Sequence, residues 1–199
     1  FAKAFDIRSL GPDNQQHFAV TTSWGVSTRL IGALIMTHSD DEGLILPPRM
    51  APTLGAVVPI YRKEEEKASV LEFCSKLIEQ LCGSERLQAA RSRQAGRELL
   101  SVFCDSTSTQ SMVLDMRDER PVEKHFHWEQ RGVPFRFEVG PRDVEKGTFV
   151  LKIRATGEKR FVALADATPT WLCQLVGEVQ AALLDKARAH RDQHTVDVS

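Results

Sequence analysis

In the stretch SWGVSTRLIGALIM, residues 23–36, Arg29 is the single charged side chain in an otherwise apolar, helix-compatible run. A guanidinium there has two uses. It can form a structural ion pair or snorkel out from a helix edge, or it can wait as a fixed cation for a bound anion, a task that suits its planar five-donor fork better than a flexible ammonium. Gly25, four residues earlier, lacks a Cβ and would let a ligand approach the backbone. The other chemistry-bearing groups are weaker. His38, Asp40 and Asp41 stand too close together for a recognised ligand set, and Glu42-Gly43 reads as a turn, so solvated acids ending an element are expected there. His125 and His127, two apart on a helix, point to different faces. Cys74, Cys82, Cys104 and Cys173 form neither a C-x-x-C pair nor a small secreted frame, so reduced thiols and no metal site are expected.

These residues must be positioned by elements that the pattern predicts. KAFDIRSL and HFAVTTSWG alternate apolar and polar residues around the turn cluster GPDNQ, which is a hairpin pattern. From Val26 to Met36 the apolar positions crowd together and fit either a buried helix or a strand. LPPRMAP is too proline-rich for either and is the expected domain boundary, with units at 1–52, 53–168 and 169–199. GAVVPIYRK reads as a buried strand. The next helix carries Val70, Leu71, Phe73, Cys74, Leu77, Ile78 and Leu81 on one face, with acids leading it and a glycine closing it. Ser84 to Ser111 is polar and favours a second helix around ERLQAARSR. SMVLD then predicts a strand, VEKHFHWEQRG a helix, VPFRFEVG a strand, TFVLKIRATGEKRFVALAD a hairpin, and Thr170 to about His190 a final helix. The order after Pro52 is β-α-(α)-β-α-β-β-β-α, an α/β arrangement with a mixed sheet.

The chain has 199 residues, enough to bury a core. Its 26 basic and 27 acidic side chains exclude a strongly basic coat, so any nucleic-acid contact must come from a local patch. No apolar run approaches the roughly 18–20 residues of a membrane span, and the start FAKAFDIRS has neither an initiator methionine nor a signal-peptide layout. A fragment of a longer cytoplasmic protein is expected.

Two blocks carry a resemblance. TTSWGVSTRLIGALIMTHSDDEGLILPPRMAP and HWEQRGVPFRFEVGPRDVEKGTFVL together resemble the carboxy-terminal part of class II prolyl-tRNA synthetases of the eukaryotic and archaeal-like type. The first block is similar to the third class-defining motif, the second to the anticodon-binding domain. The resemblance implies the end of an antiparallel-sheet catalytic domain followed by an anticodon-binding domain with a mixed sheet flanked by helices. It also implies a ligase that activates proline with ATP and Mg2+ and transfers it to its tRNA, working as a homodimer. Within it, Arg29 corresponds to the ATP-binding arginine, where a fixed guanidinium stabilises charge developing on phosphates. Ser27 corresponds to a hydroxyl contacting ATP, and Ser23, Trp24 and Gly25 to the floor of the substrate pocket. Most of the remaining pocket and the main dimer contacts would lie upstream of Phe1.

An anticodon reader needs carboxylates, guanidiniums and an aromatic surface close together, because unstacked bases offer Watson–Crick edges and π faces. The block Trp128 to Lys146 contains all three. Proline anticodons share a GG pair, and the guanine N1–H and N2–H2 edge can donate to one carboxylate. Glu138, following Arg136 on a strand, and Asp143 with Arg142 in the GPRD turn are the candidate readers. Arg131, Lys146 and Arg117 would steer or clamp phosphates. The chain departs from the family pattern at Val122, where glycine is common, in APTLGAVVPI, where a glutamine usually follows AP, and in a longer linker around 84–111. A non-catalytic RNA- or protein-binding module on the same domain is the alternative, and a general α/β interaction domain a third. Retention of SWGVSTR favours the enzyme.

Overall fold

In a computed structural model of the protein, residues 1–104 and 109–196 are described. They divide into two compact units, Phe1–Ala33 and Leu34–Ser199.

The smaller unit contains the hairpin. β1 (Arg8–Leu10) and β2 (Gln16–Phe18) pair antiparallel, with Arg8 opposite Phe18. The turn places Asn14 at φ 59°, a left-handed position that asparagine tolerates, and the Asp13 carboxylate accepts from the Gln15 amide. α1 (Arg29–His38) takes the helical alternative for the apolar run, yet none of its residues is buried. The expected burial of that element is not found.

The larger unit consists of β3 (Thr53–Pro59), α2 (Glu64–Cys82), α3 (Ser84–Arg93), β4 (Leu99–Phe103), β5 (Ser111–Asp115), α4 (Pro121–Gln130), β6 (Phe135–Val139), α5 (Pro141–Lys146), β7 (Thr148–Ile153), β8 (Lys159–Ala163), a 3-10 turn at Leu164–Asp166, and α6 (Pro169–Gln193). Its sheet has the order β4-β5-β3-β6-β7-β8. The central three strands run parallel, and β4, β7 and β8 join antiparallel. This is the mixed sheet flanked by helices that the pattern predicts.

Two elements go beyond the sequence reading. β4 lies at the sheet edge inside the stretch read as polar. The Gln94 side chain accepts from the Ser101 amide and donates to the Ser101 carbonyl, at 3.1 and 2.8 Å. It thereby satisfies edge groups that would otherwise invite another strand. The GPRD turn also proves to open a helix, α5. Pro141 sits in its first turn, the Gly140 amide donates to the Asp143 carboxylate at 2.8 Å, and Gly147 closes it at φ 65°.

Period-two alternation sends the strands' apolar residues to two cores. On one face Val57, Phe135, Phe137, Phe149 and Leu151 meet α2 and α6, whose Leu77, Ile78, Leu172, Leu175 and Val179 are buried against them. On the other face Ala56, Val58 and Val113 receive Trp128 of α4 and Val133. The segment before β3 is fastened to this unit, since Gln110 Nε2 donates to the carbonyls of Pro48 and Ala51. The acids after α1 are exposed as expected, but Asp40 also has a structural bond: its carboxylate accepts from the Gly43 amide and from the buried Arg154 guanidinium. No helix among the described residues is long and apolar enough to cross a membrane.

Candidate functional site

In the smaller unit Ser23, Trp24, Gly25 and Ser27 lie in irregular backbone ahead of α1, and all are exposed, as is Arg29. Trp24 is 94% exposed. The Arg29 amide, first in the helix, donates to Ser27 Oγ at 3.4 Å, and the Leu30 amide donates to the Ser27 carbonyl. The Arg29 guanidinium has no ion pair among the described residues, so the structural alternative for its charge has no partner among them. A Cβ at Gly25 would meet nothing within 4 Å. Packing against the described residues therefore does not require glycine at that position.

In the larger unit the topology selects a different place. From β3 the chain crosses to β5 on one side, and from β5 it crosses to β6 on the other. Open sheets with that reversal leave a crevice outside the carboxyl ends of the strands. A cavity of about 630 Å³ lies there, lined by Tyr61, Arg62, Glu138, Arg142, Asp143 and Val150. The fold thus brings Glu138, Arg142 and Asp143 together, as the sequence reading requires. Asp143 is half spoken for by its bond to the Gly140 amide. Arg142 is exposed and has no ion pair among the described residues. Lys146 is exposed at the end of α5, outside the residues that line the cavity. Tyr61 and Arg62 were missed by the sequence reading. The signal was available, because both directly follow the buried strand GAVVPI at its carboxyl end.

Glu138 also belongs to a network on the sheet face beneath α4. Arg136 donates to Glu138 at 2.9 Å and to Glu129 at 2.8 Å, and only 7% of Arg136 and 8% of Glu138 is exposed. These are buried ions rather than solvated surface charges. His125 Nε2 lies 3.6 Å from Glu138 and has no hydrogen-bond partner among the described residues. Burial, followed by the nearby Arg136 charge, holds its pKa below the ordinary histidine value, which keeps the ring neutral.

Arg117 and Arg131 stand apart from the cavity. Asp115, fully buried at the end of β5, accepts from Arg117 Nε and Nη2 at 2.9 and 2.7 Å and from Trp128 Nε1 at 2.8 Å. Burial alone would raise the Asp115 pKa, but the bonds from Arg117 and Trp128 outweigh it and the value is lowered. Lys124, also buried, donates to the Asp115 carbonyl, and desolvation lowers its pKa. Arg131 reaches the His127 ring at 2.9 Å. This cluster fastens α4 to the sheet, and Arg117 is spent on it. The block's aromatics also differ from expectation: Trp128, Phe135 and Phe137 are all buried in the two cores, so none of them offers a ring face to a base.

A family model described as "Anticodon binding domain" matches residues 56–172. Proline-tRNA ligases of Chloroflexus aurantiacus and Roseiflexus sp. are 44% and 41% identical to the chain over its whole length. The chain spans 37% of each of those relatives. Among solved structures, prolyl-tRNA synthetase from Cryptosporidium parvum complexed with L-proline and AMP superposes with a TM-score of 0.77 at 29% identity, covering 99% of this chain and 37% of that one. The same enzyme complexed with halofuginone and AMPPNP gives a TM-score of 0.78. Over residues 56–172, and with the mixed sheet and its flanking helices as the folded body, the chain belongs to the anticodon-binding domain family.

Proposed function

We propose that the chain is the carboxy-terminal part of a proline-tRNA ligase, whose larger unit takes the anticodon loop of a proline tRNA. The observation that carries this reading is the cavity at the carboxyl ends of β3 and β6, where Glu138, Arg142 and Asp143 converge. A guanine's N1–H and N2–H2 edge supplies two donors, which the carboxylates of Glu138 and Asp143 accept. The exposed Arg142 takes a phosphate or a base acceptor, and Arg136 holds Glu138 in place. Lys146 and Arg131, exposed on the same unit, add attraction for the RNA backbone.

The smaller unit supplies one wall of the site where proline is activated. Arg29 heads a ten-residue helix with its guanidinium unpaired among the described residues, and a helix N-terminus favours anions. That disposition fits ATP phosphates, with Ser27 as a second contact and Ser23, Trp24 and Gly25 toward the amino acid. The complexes of the Cryptosporidium relative with L-proline and AMP support the same substrates here. No group of three or more His, Cys, Asp or Glu side chains among the described residues could hold a metal ion. Mg2+ accompanies ATP in this reading, and it is usually held by substrate phosphates and water with only one or two carboxylates. Dimerisation and a cytoplasmic location accompany the reading.

The test is binding of the 199-residue chain to stem-loop RNAs that differ only in the anticodon. A loop containing the GG pair is expected to bind at least tenfold more tightly than one containing CC, as losing two base contacts implies. Arg142→Gln is expected to lower the slope of log K against log salt by about one, as a lost phosphate contact does. Equal affinity for both loops would reject the proposal.

A further inference from the structure

Reading unstacked bases takes a π face as well as edges, and the three aromatics of the Trp128–Lys146 block are buried. The strand register points to another. Across the face that α4 half covers, one row runs Val58, Glu138, Val150, Phe161, and the next runs Ala56, Arg136, Lys152, Lys159. The β3 end of both rows lies under α4 in the smaller core. At the β8 end Phe161 is 78% exposed and Lys159 is exposed. Its strand neighbours Arg160 and Val162 turn the other way, and Val162 packs against the main core. Phe161 therefore contributes no packing that would account for an aromatic ring there.

A single exposed apolar residue needs no explanation, but Phe161 is not isolated. Its direct partner Val150 lines the cavity together with Glu138, which sits one strand further on. Neighbouring strands lie about 4.8 Å apart, so Phe161 stands roughly 10 Å from Glu138 across the sheet. Lys152 and Lys159 occupy the adjacent row, which makes this edge of the sheet cationic beside an apolar ring, the combination that tracks a single-stranded backbone and stacks its bases.

We propose that Phe161 is a stacking platform for an unpaired base of the RNA loop, next to the base whose edge is read at Glu138. β7 and β8 extend the cavity into a groove that holds at least two consecutive nucleotides. Stacking supplies affinity without choosing the base, while the Glu138 end supplies the choice. This inference rests on the proposed anticodon-loop function.

The experiment uses the whole chain and a stem-loop RNA with the GG anticodon, in which 2-aminopurine replaces each loop base in turn. Wild-type protein is expected to quench the fluorescence of at least one loop position. Phe161→Ala and Phe161→Leu are expected to abolish that quench and weaken binding about tenfold, while leaving the salt slope unchanged because no counterion is released. Phe161→Trp is expected to keep both quench and affinity. Phe161→Leu retains apolar bulk, so its failure separates stacking from mere coverage of the sheet. Discrimination of GG by wild type together with full binding and quench in Phe161→Ala overturns the platform and spares the anticodon reading. Failure of wild type to discriminate overturns both.

Discussion

Replacing Asp115 by asparagine tests whether α4, and with it the sheet-face network, is held by one buried carboxylate. Oδ1 accepts from the Arg117 amide and Nε, and Oδ2 accepts from Arg117 Nη2 and Trp128 Nε1. Either orientation of an asparagine amide turns an NH2 group toward two of those donors. A lost bond to a charged partner costs about 1.5–3 kcal/mol, and a buried donor left without an acceptor about 1–3 kcal/mol. Arg117 keeps 13% of its side chain exposed and a second carboxylate, Glu119, at 3.0 Å, so part of its loss is recovered. About 3 kcal/mol remains, at the lower end of the cost of breaking a buried pair. With a urea slope of about 2–3 kcal/mol per molar, the midpoint falls by roughly 1–1.5 M. The pH dependence has a fixed sign. The folded Asp115 pKa is depressed, so its stabilisation is present above the ordinary value near 3.9 and is lost as pH falls through the folded value. The gap between wild type and variant is therefore constant from pH 5 to 8 and narrows below pH 4. A gap under 1 kcal/mol at pH 7, or one that persists undiminished at pH 3, refutes the reasoning.

Gly132→Ala meets both a φ of 66° and the Leu44 carbonyl 2.7 Å from the new Cβ. The Cβ is fixed to its own backbone and the obstructing carbonyl is backbone too, so neither can swing aside and a loss of at least about 2 kcal/mol is expected in the same urea titration. His125 has a pKa depressed by burial and by Arg136, partly offset by Glu138 and Glu129. Its contribution is complete above about pH 6.5 and declines as pH falls toward the folded value, so His125→Gln is expected to flatten the stability profile between pH 7 and 5.5. An unchanged slope would remove His125 from the account.

Elements with strong periodicity were legible. The α2 face from Val70 to Leu81 and a strand at VPFRFEVG follow from the residues alone, and both are found, although β6 is buried on both faces, Arg136 and Glu138 included. β4 was not legible, because its pairing depends on β5 beyond a polar linker and its outer edge is satisfied by Gln94, a tertiary contact with no local signature. α1 misleads in the opposite sense: crowded apolar residues signal burial, but the described residues leave all of them exposed or half-buried. For the site, residue types indicated Glu138, Arg142 and Asp143, while Tyr61 and Arg62 carried only a positional signal, the carboxyl end of GAVVPI, which gains its meaning from the strand order that sets that end beside β6. Charges alone could not separate Arg117, committed to Asp115, from Arg142, which is uncommitted. Both look alike in sequence because the difference is burial.

The Glu129–Arg136–Glu138 network allows fold and function to be separated. A buried ion group of this kind is weak ground for stability, because desolvation of the three charges consumes most of their mutual attraction; well-packed apolar replacements are often neutral or stabilising by about 1–4 kcal/mol. Arg136 places its Nε and Nη1 on Glu138 Oε1 and Glu129 Oε1. Each carboxylate thus keeps its other oxygen in a fixed direction. An arrangement that orients acceptors while adding little to folding is what a pre-organised edge reader requires. The triple variant Glu129→Met, Arg136→Met, Glu138→Val is therefore expected to fold with unchanged or higher stability in urea, and to bind GG and CC loops with equal affinity. Removing Arg136 alone leaves the buried Glu138 and the half-buried Glu129 without their cation and is expected to cost about 3 kcal/mol, the lower end for breaking a buried pair. Loss of more than about 2 kcal/mol in the triple variant, with loop discrimination retained, would instead make the network part of the scaffold and move the reading of guanine to Arg142 and Asp143.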